Sequence, residues 1–413
     1  MRKSTGVVIG AAAAVLAVAV GGAALVRDGA TGRRPDRIDG DGPWRVVRQA
    51  FEVKSEWMGG PQIIVADPEA CFTGFGRDGL STAYWVGEGE CTTARVVSPK
   101  PFTGGDSLPS EDRNSIMTAV PARNGGYLAL TRHTYHGDAY AYSTAVLHGD
   151  GTPDGWRTVA RFEAGENEDS KASHIGPQSL AVTKNGYVAV GRHNERALAW
   201  LSDYGTTWRP VNLPPAEGAS STSVTSVAAA PDGRLVALGT SARPNEPYTL
   251  KSWVSKDGGR TWRHGTVPDI GGSPQVHALL HDGKRFVALG GTDGDIRGPA
   301  LVLTSTDGRT WQQDDAGTDT RMITAATVVP GEGLLAVSST GEERESDESG
   351  GTRECASAWL ATRDGTWTGE DLGCHGVPTS LAVLADGRVA AVHWTTLFVR
   401  QPPGAGTPPP GPA

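Results

Sequence analysis

Ser255-Lys256-Asp257-Gly258-Gly259-Arg260-Thr261-Trp262 has near copies at Ser202-Asp203-Tyr204-Gly205-Thr206-Thr207-Trp208 and Ser305-Thr306-Asp307-Gly308-Arg309-Thr310-Trp311. A worn copy is Ala361-Thr362-Arg363-Asp364-Gly365-Thr366-Trp367. Each follows an apolar run and precedes a second short one, so it reads as the turn of a β-hairpin. The aspartate bonds to local backbone N–H groups and the glycine takes a positive φ. The tryptophan then anchors the next strand in the core. On this reading Asp203, Asp257, Asp307 and Asp364 form turns and do not catalyse.

Working outward, Trp208, Trp262, Trp311 and Trp367 recur about every fifty residues, and Trp156 lies one such interval upstream, a period typical of four-stranded propeller blades. A second landmark keeps the same register: Asn185-Gly186-Tyr187-Val188-Ala189-Val190-Gly191, Asp232-Gly233-Arg234-Leu235-Val236-Ala237-Leu238-Gly239 and Asp282-Gly283-Lys284-Arg285-Phe286-Val287-Ala288-Leu289-Gly290. Asn124–Leu130 and Asp386–Val392 continue the series. Repeats then fall at 57–101, 115–162, 178–213, 223–268, 275–315 and 322–373, with 378–400 holding three strands only. Pro43-Trp44-Arg45-Val46-Val47-Arg48 resembles the outer strand around Trp156 and supplies the missing fourth. The expected fold is all-β, a seven-bladed β-propeller of four-stranded antiparallel blades whose last blade is closed by the N-terminal strand, leaving no open edge. Six blades is the alternative, because the first repeat is the most divergent.

The quoted turns resemble the Asp-box, or BNR, repeat of sialidase-type β-propellers over about residues 115–373. Sialidases of that superfamily hold a substrate carboxylate with three arginines, one in an Arg-Ile-Pro motif, and use a Tyr/Glu nucleophile pair with an aspartate acid/base. This chain has no Arg-Ile-Pro; Arg37-Ile38-Asp39 lies in the expected tether, and no tyrosine follows Tyr248. The resemblance therefore implies the fold without the sialidase catalytic motifs. Similar boxes occur in sortilin-type receptors, xyloglucan-degrading hydrolases and assembly factors of photosynthetic complexes, so the repeat fixes no single activity.

Met1-Arg2-Lys3 precedes Gly6–Val26, an uncharged stretch rich in Ala, Val and Gly. That is an export signal or a single membrane anchor. Residues 1–34 are read as that segment and the start of a polar tether reaching Gly42, 35–401 as the propeller, and 402–413 as a disordered Pro/Gly tail. The location is extracytoplasmic, membrane-anchored or secreted. Cys71 with Cys91 and Cys355 with Cys374 form two local pairs, expected as disulfides in an exported protein. They have no C-x-x-C spacing, and no metal or other cofactor is assigned. A net charge of −8 with no basic stripe excludes nucleic acid as the natural partner, and the protein is expected to be a monomer.

The boxes share one face with the first-to-second-strand turns; the longer second-to-third-strand loops lie on the other, where binding residues concentrate. The candidates there are Arg132, His133, Tyr135, Tyr140, Arg192, His193, Glu195 and Arg243. Aligning Leu128-Ala129-Leu130-Thr131 with Val188-Ala189-Val190-Gly191 puts Arg132 beside Arg192, where two guanidinium groups could grip a carboxylate or phosphate. Pairing with Glu195 or Asp138 is the structural alternative. The leading expectation is a non-catalytic propeller binding a glycan, peptide or envelope protein. A glycoside hydrolase using two of Glu163, Glu166, Glu195, Asp293 and Asp295 is the second, and a scaffold for a membrane complex the third.

Overall fold

The computed structural model describes residues 42–403 apart from 98–112, 150–156, 163–174 and a number of shorter segments, together with the backbone of Asp36–Arg37. The chain separates into two units, Met1–Gly32 and Arg33–Ala413, and the described residues all belong to the second. Gly6–Val26 and the tail from residue 404 lie outside them. Among the described residues no helix is long and apolar enough to cross a membrane.

The strands form antiparallel sheets over 59–97, 113–162, 175–212, 221–264, 275–313 and 323–373, each a meander of four consecutive strands. A further sheet combines Ser380–Val383, Val389–His393 and Thr396–Arg400 with the N-terminal strand Trp44–Val47. Trp44 stands opposite Arg400 and Val47 opposite Leu397. Asp36–Arg37 then pairs outside Trp44–Val47. The stretch expected to be tether throughout thus contributes a short strand, because an outer edge offers unpaired backbone groups to whatever chain runs beside it.

Second strands read as continuous apolar runs because both of their faces are covered. Val188 and Val190 pack toward the fourth sheet, with Leu235 and Trp253, while Tyr187 and Ala189 pack toward the second, with Leu128 and Leu130. The same division holds for every neighbouring pair: each hydrophobic cluster draws its side chains from two adjacent sheets. One such cluster joins the last sheet to the first, with Ala390, Val392 and Val399 against Ile64, Phe72 and Trp85. First strands also touch one another in succession, including Ser380–Val383 with Gly59–Asp67.

Six of the first strands carry a bulge, at Gln62, Met117, Gln178, Thr225, His277 and Thr324. The bulged backbone crowds the second strand. Gly239, opposite Val224, has no room for a side chain, since a Cβ there would fall on the Ser223 carbonyl oxygen. Hydroxyls next to the bulges link successive sheets. Val227 N–H donates to Ser179 Oγ at 3.2 Å, Thr324 Oγ1 to the Pro378 carbonyl at 2.6 Å, and Ile64 N–H to Ser380 Oγ at 3.1 Å.

At the opposite end two of the quoted turns have an aspartate bonded to its own turn. Asp257 accepts from Thr261 N–H at 2.9 Å, from Thr261 Oγ1 at 2.7 Å and from Ser255 Oγ at 2.8 Å. Asp307 accepts from the Arg309 and Thr310 N–H groups, both at 2.8 Å. In the Asp203 turn Gly205 N–H donates to Ser202 Oγ, as Gly259 N–H does to Ser255 Oγ, and Asp203 itself is exposed. Asp364 lies outside the described residues. Both expected disulfides are present, Cys71–Cys91 and Cys355–Cys374.

The acidic run 342–351 is in part strand. Gly333–Glu345 and Thr352–Thr362 continue their pairing to Glu345 opposite Thr352. This places Glu343 directly against Glu354, and Arg297 from the fifth sheet's loop pairs with both. Like charges across a ladder destabilise it unless a cation intervenes.

Candidate functional site

The loop face is where second strands end and third strands begin, and its chemistry follows from the bulge register. In the third sheet Gly191 stands opposite the bulge at Pro177, and the next residue, Arg192, stands opposite Gly176. In the second sheet Thr131 and Arg132 occupy the same two places, opposite Ile116 and Ser115. Arg132 and Arg192 therefore occupy equivalent backbone positions in their two sheets. The first sheet repeats it: Gly76 faces Pro61 at the bulge, and Arg77 follows, opposite Gly60. Three consecutive sheets thus carry arginine at one position, whereas the next two carry Thr240 and Gly291.

The Arg192 side chain is half-buried and, among the described residues, makes no hydrogen bond or ion pair. The expected alternative, pairing with Glu195, is not formed. Glu195 sits exposed in the two-residue turn Asn194-Glu195, and its carbonyl oxygen accepts from Thr222 N–H at 2.9 Å. His193 is half-buried opposite Arg196. Backbone pairing carries His133 and Tyr135 beyond Arg132 along Tyr127–Tyr135; the side chains of these three, with Tyr140, Asp138, Glu163 and Glu166, lie outside the described residues. Arg243 is drawn away into its own loop, reaching Glu246 at 3.5 Å and the Glu217 carbonyl at 3.2 Å.

The remaining acidic candidates serve the backbone. Asp293 Oδ1 accepts from Asp295 N–H at 3.1 Å, and Asp295 Oδ1 from Arg297 N–H at 3.0 Å. Among the described residues no group of three His, Cys, Asp or Glu side chains is arranged to hold a metal ion. Burial lowers the pKa of His277, a bulge residue. It also lowers that of His393, although a 2.7 Å contact from Nδ1 to the Val377 carbonyl opposes the shift.

Two features escaped the sequence reading. Arg77 was legible in principle, since Phe75-Gly76-Arg77 matches Val190-Gly191-Arg192, but its repeat has no box to fix the register. Trp394, 50% exposed, sits in the turn between Val389–His393 and Thr396–Arg400, where a tryptophan between two strands was the available signal.

No family model and no curated protein matches the chain. Solved structures do match it. A catalytically inactive virginiamycin B lyase from Staphylococcus aureus, in complex with quinupristin, has a TM-score of 0.52 at 9% identity, covering 86% of this chain and 98% of that one. A Hadza microbial sialidase has a TM-score of 0.50 at 16% identity, covering 78% and 74%. A Trypanosoma rangeli sialidase follows at 0.43 and 17% identity, and only 52% of its length is spanned. The fold is thus that of a sialidase-like β-propeller.

Proposed function

We propose that this protein is an exported, non-catalytic, seven-bladed β-propeller of the Asp-box type that binds a carboxylate-bearing glycan, peptide or envelope protein through its loop face. The observation that carries it is the recurrence of arginine at one register position in three consecutive sheets, Arg77, Arg132 and Arg192. Guanidinium forks match carboxylate geometry, and the half-buried Arg192 side chain has no partner among the described residues. The chain's net charge of −8 makes a local cluster of cations a feature of this face and not of the composition.

Closure into seven blades is supported by the apolar cluster shared between the last and first sheets and by the Ser380 to Ile64 bond, both of the kind seen between other neighbours. Export is supported by the two disulfides and by Gly6–Val26 as its signal or anchor. A non-catalytic role is supported by the carboxylates. Glu195 belongs to the third sheet, apart from Asp293 and Asp295 in the fifth sheet's loop, and those two carboxylates accept from the backbone N–H groups of Asp295 and Arg297, whereas a retaining glycosidase needs two carboxyl groups free to face one another about 5–5.5 Å apart.

Calorimetry on the full-length chain in a sugar-free detergent tests the reading. Hexagalacturonate, an acidic oligosaccharide, should bind at least tenfold more tightly to the parent than to Arg192→Ala, and more weakly at high salt. Equal binding to both would overturn it. Release of reducing ends that depends on one loop-face carboxylate would make the protein a hydrolase instead.

A further inference from the structure

We propose that Trp394 is a platform on which a pyranose ring of the bound ligand stacks, which narrows that ligand to a glycan. This inference rests on the loop-face reading above and adds a residue that the arginine register does not include.

Trp394 occupies the first position of the two-residue turn Trp394-Thr395, between the paired residues His393 and Thr396, with φ at 51°. The third sheet has the same turn between His193 and Arg196, and there the residue is Asn194 with φ at 52°. Asparagine tolerates the left-handed region because its short side chain bonds locally; a bulky aromatic residue is an outlier there. The same chain therefore solves the same turn with a suitable residue once and an unsuitable one once. Core packing does not account for the choice, because Trp394 is 50% exposed and is the exposed tryptophan among those described. Strain held in place by its surroundings marks ligand clamps and active sites.

The surroundings do hold it. Thr395 O accepts from Ala50 N–H at 2.9 Å. The His393 ring stands edge-on to the indole at 6.3 Å between centroids and is itself tied to Val377. On the other side the Trp394 backbone lies so close to Gly60 that a Cβ at residue 60 would meet it. Gly60 is the residue opposite Arg77 in the ladder. The exposed indole thus stands at the joint between the last and first sheets, beside the first of the three arginine positions. A flat apolar face beside a backbone position that carries arginine suits a sugar ring bearing a carboxylate, the ring on the indole and the acid on an arginine.

The test uses the full-length chain labelled with 5-fluorotryptophan, the variants Trp394→Asn and Arg192→Ala, and two probes, hexagalacturonate and the neutral cellohexaose. We expect Trp394→Asn, which copies Asn194, to melt no lower than the parent and to bind hexagalacturonate at least tenfold more weakly. The fluorine line missing from that variant should shift when the parent is titrated. A line that stays still, binding within twofold of the parent, or a clear fall in melting temperature would each overturn the platform. If Arg192→Ala still loses affinity in that case, the acidic-ligand reading survives alone. If both probes bind through Trp394 and Arg192→Ala changes neither, the platform stands and the acidic reading falls. Binding of neither probe overturns both.

Discussion

Asp257 and Asp307 are held by bonds that only the ionised carboxyl can accept in full. Burial pushes the pKa of each upward, but the Thr261 hydroxyl and N–H with the Ser255 hydroxyl outweigh it at Asp257, and the Thr310 and Arg309 N–H groups do so at Asp307. Both therefore lie below the ordinary aspartate value. Their contribution to stability is complete above about pH 3.9 and is lost as the pH falls through the lowered folded values. His277 and His393 also have lowered values, so each contributes stability as the neutral ring. That contribution is complete above about pH 6.5 and is lost as the pH falls through the depressed folded values. Urea midpoints measured from pH 8 to pH 2 should accordingly drop in two windows. Asp257→Asn with Asp307→Asn should flatten the acid one and leave the histidine one, and an unchanged acid slope would show that these turns store no linkage energy.

A turn is an element that both ends one strand pair and seats one sheet on the next. Gly259 has φ at 90°, and a Cβ on it would lie 2.6 Å from Leu201 Cδ2 in the preceding sheet. Trp262 follows the turn into the cluster shared with Val188 and Val190, its Nε1 donating to the Gly259 carbonyl at 2.9 Å. Gly259→Ala should therefore cost about 2 kcal/mol, from the unsuitable φ and the crowding together, read as a lower urea midpoint with unchanged slope. Elements of this kind were legible in the sequence because Asp, Gly and Trp act within a few residues of one another. The 50-residue interval and the Asn/Asp-Gly turns then placed the sheets, and the likeness of Trp44–Val47 to the strand after Trp156 placed the N-terminal strand of the last. Elements decided by distant partners were not legible. The paired extension past Ser339 depends on Arg297 from another sheet standing between Glu343 and Glu354. The turn at Trp394 looks wrong locally, and only its neighbours Gly60 and Ala50 show how it is held. At the loop face the Arg132 and Arg192 positions were read from aligned runs, while Arg77 needed the bulge register that backbone pairing supplies.

For the whole molecule, the first and last described strands meet in one sheet, and the polar centre of that meeting is Arg400. It is 5% exposed, and burial works against its charge; Glu370 and Glu332 outweigh that and raise its pKa. Glu370 lies on Trp367–Gly373 of the preceding sheet and also accepts from Trp44 Nε1 at 2.7 Å. One carboxylate thus ties the N-terminal strand, the C-terminal strand and the neighbouring sheet together. Breaking such a pair from one side leaves a buried charge without compensation, so Arg400→Ala should cost about 3–5 kcal/mol. Removing the strand itself has a different consequence. Deleting residues 1–34 leaves Trp44–Val47 in place, and the product should stay soluble and melt cooperatively. Deleting residues 1–48 exposes the backbone edge of Thr396–Arg400, uncovers Phe398 and Val399, and strips Glu370 of its Trp44 bond. An unpaired apolar edge recruits other chains, so this product should aggregate, and a peptide spanning residues 42–50 added during refolding should restore solubility. A monomeric, cooperatively melting product of the longer deletion would mean that the last sheet is held without its N-terminal strand, by its interfaces with the neighbouring sheets alone.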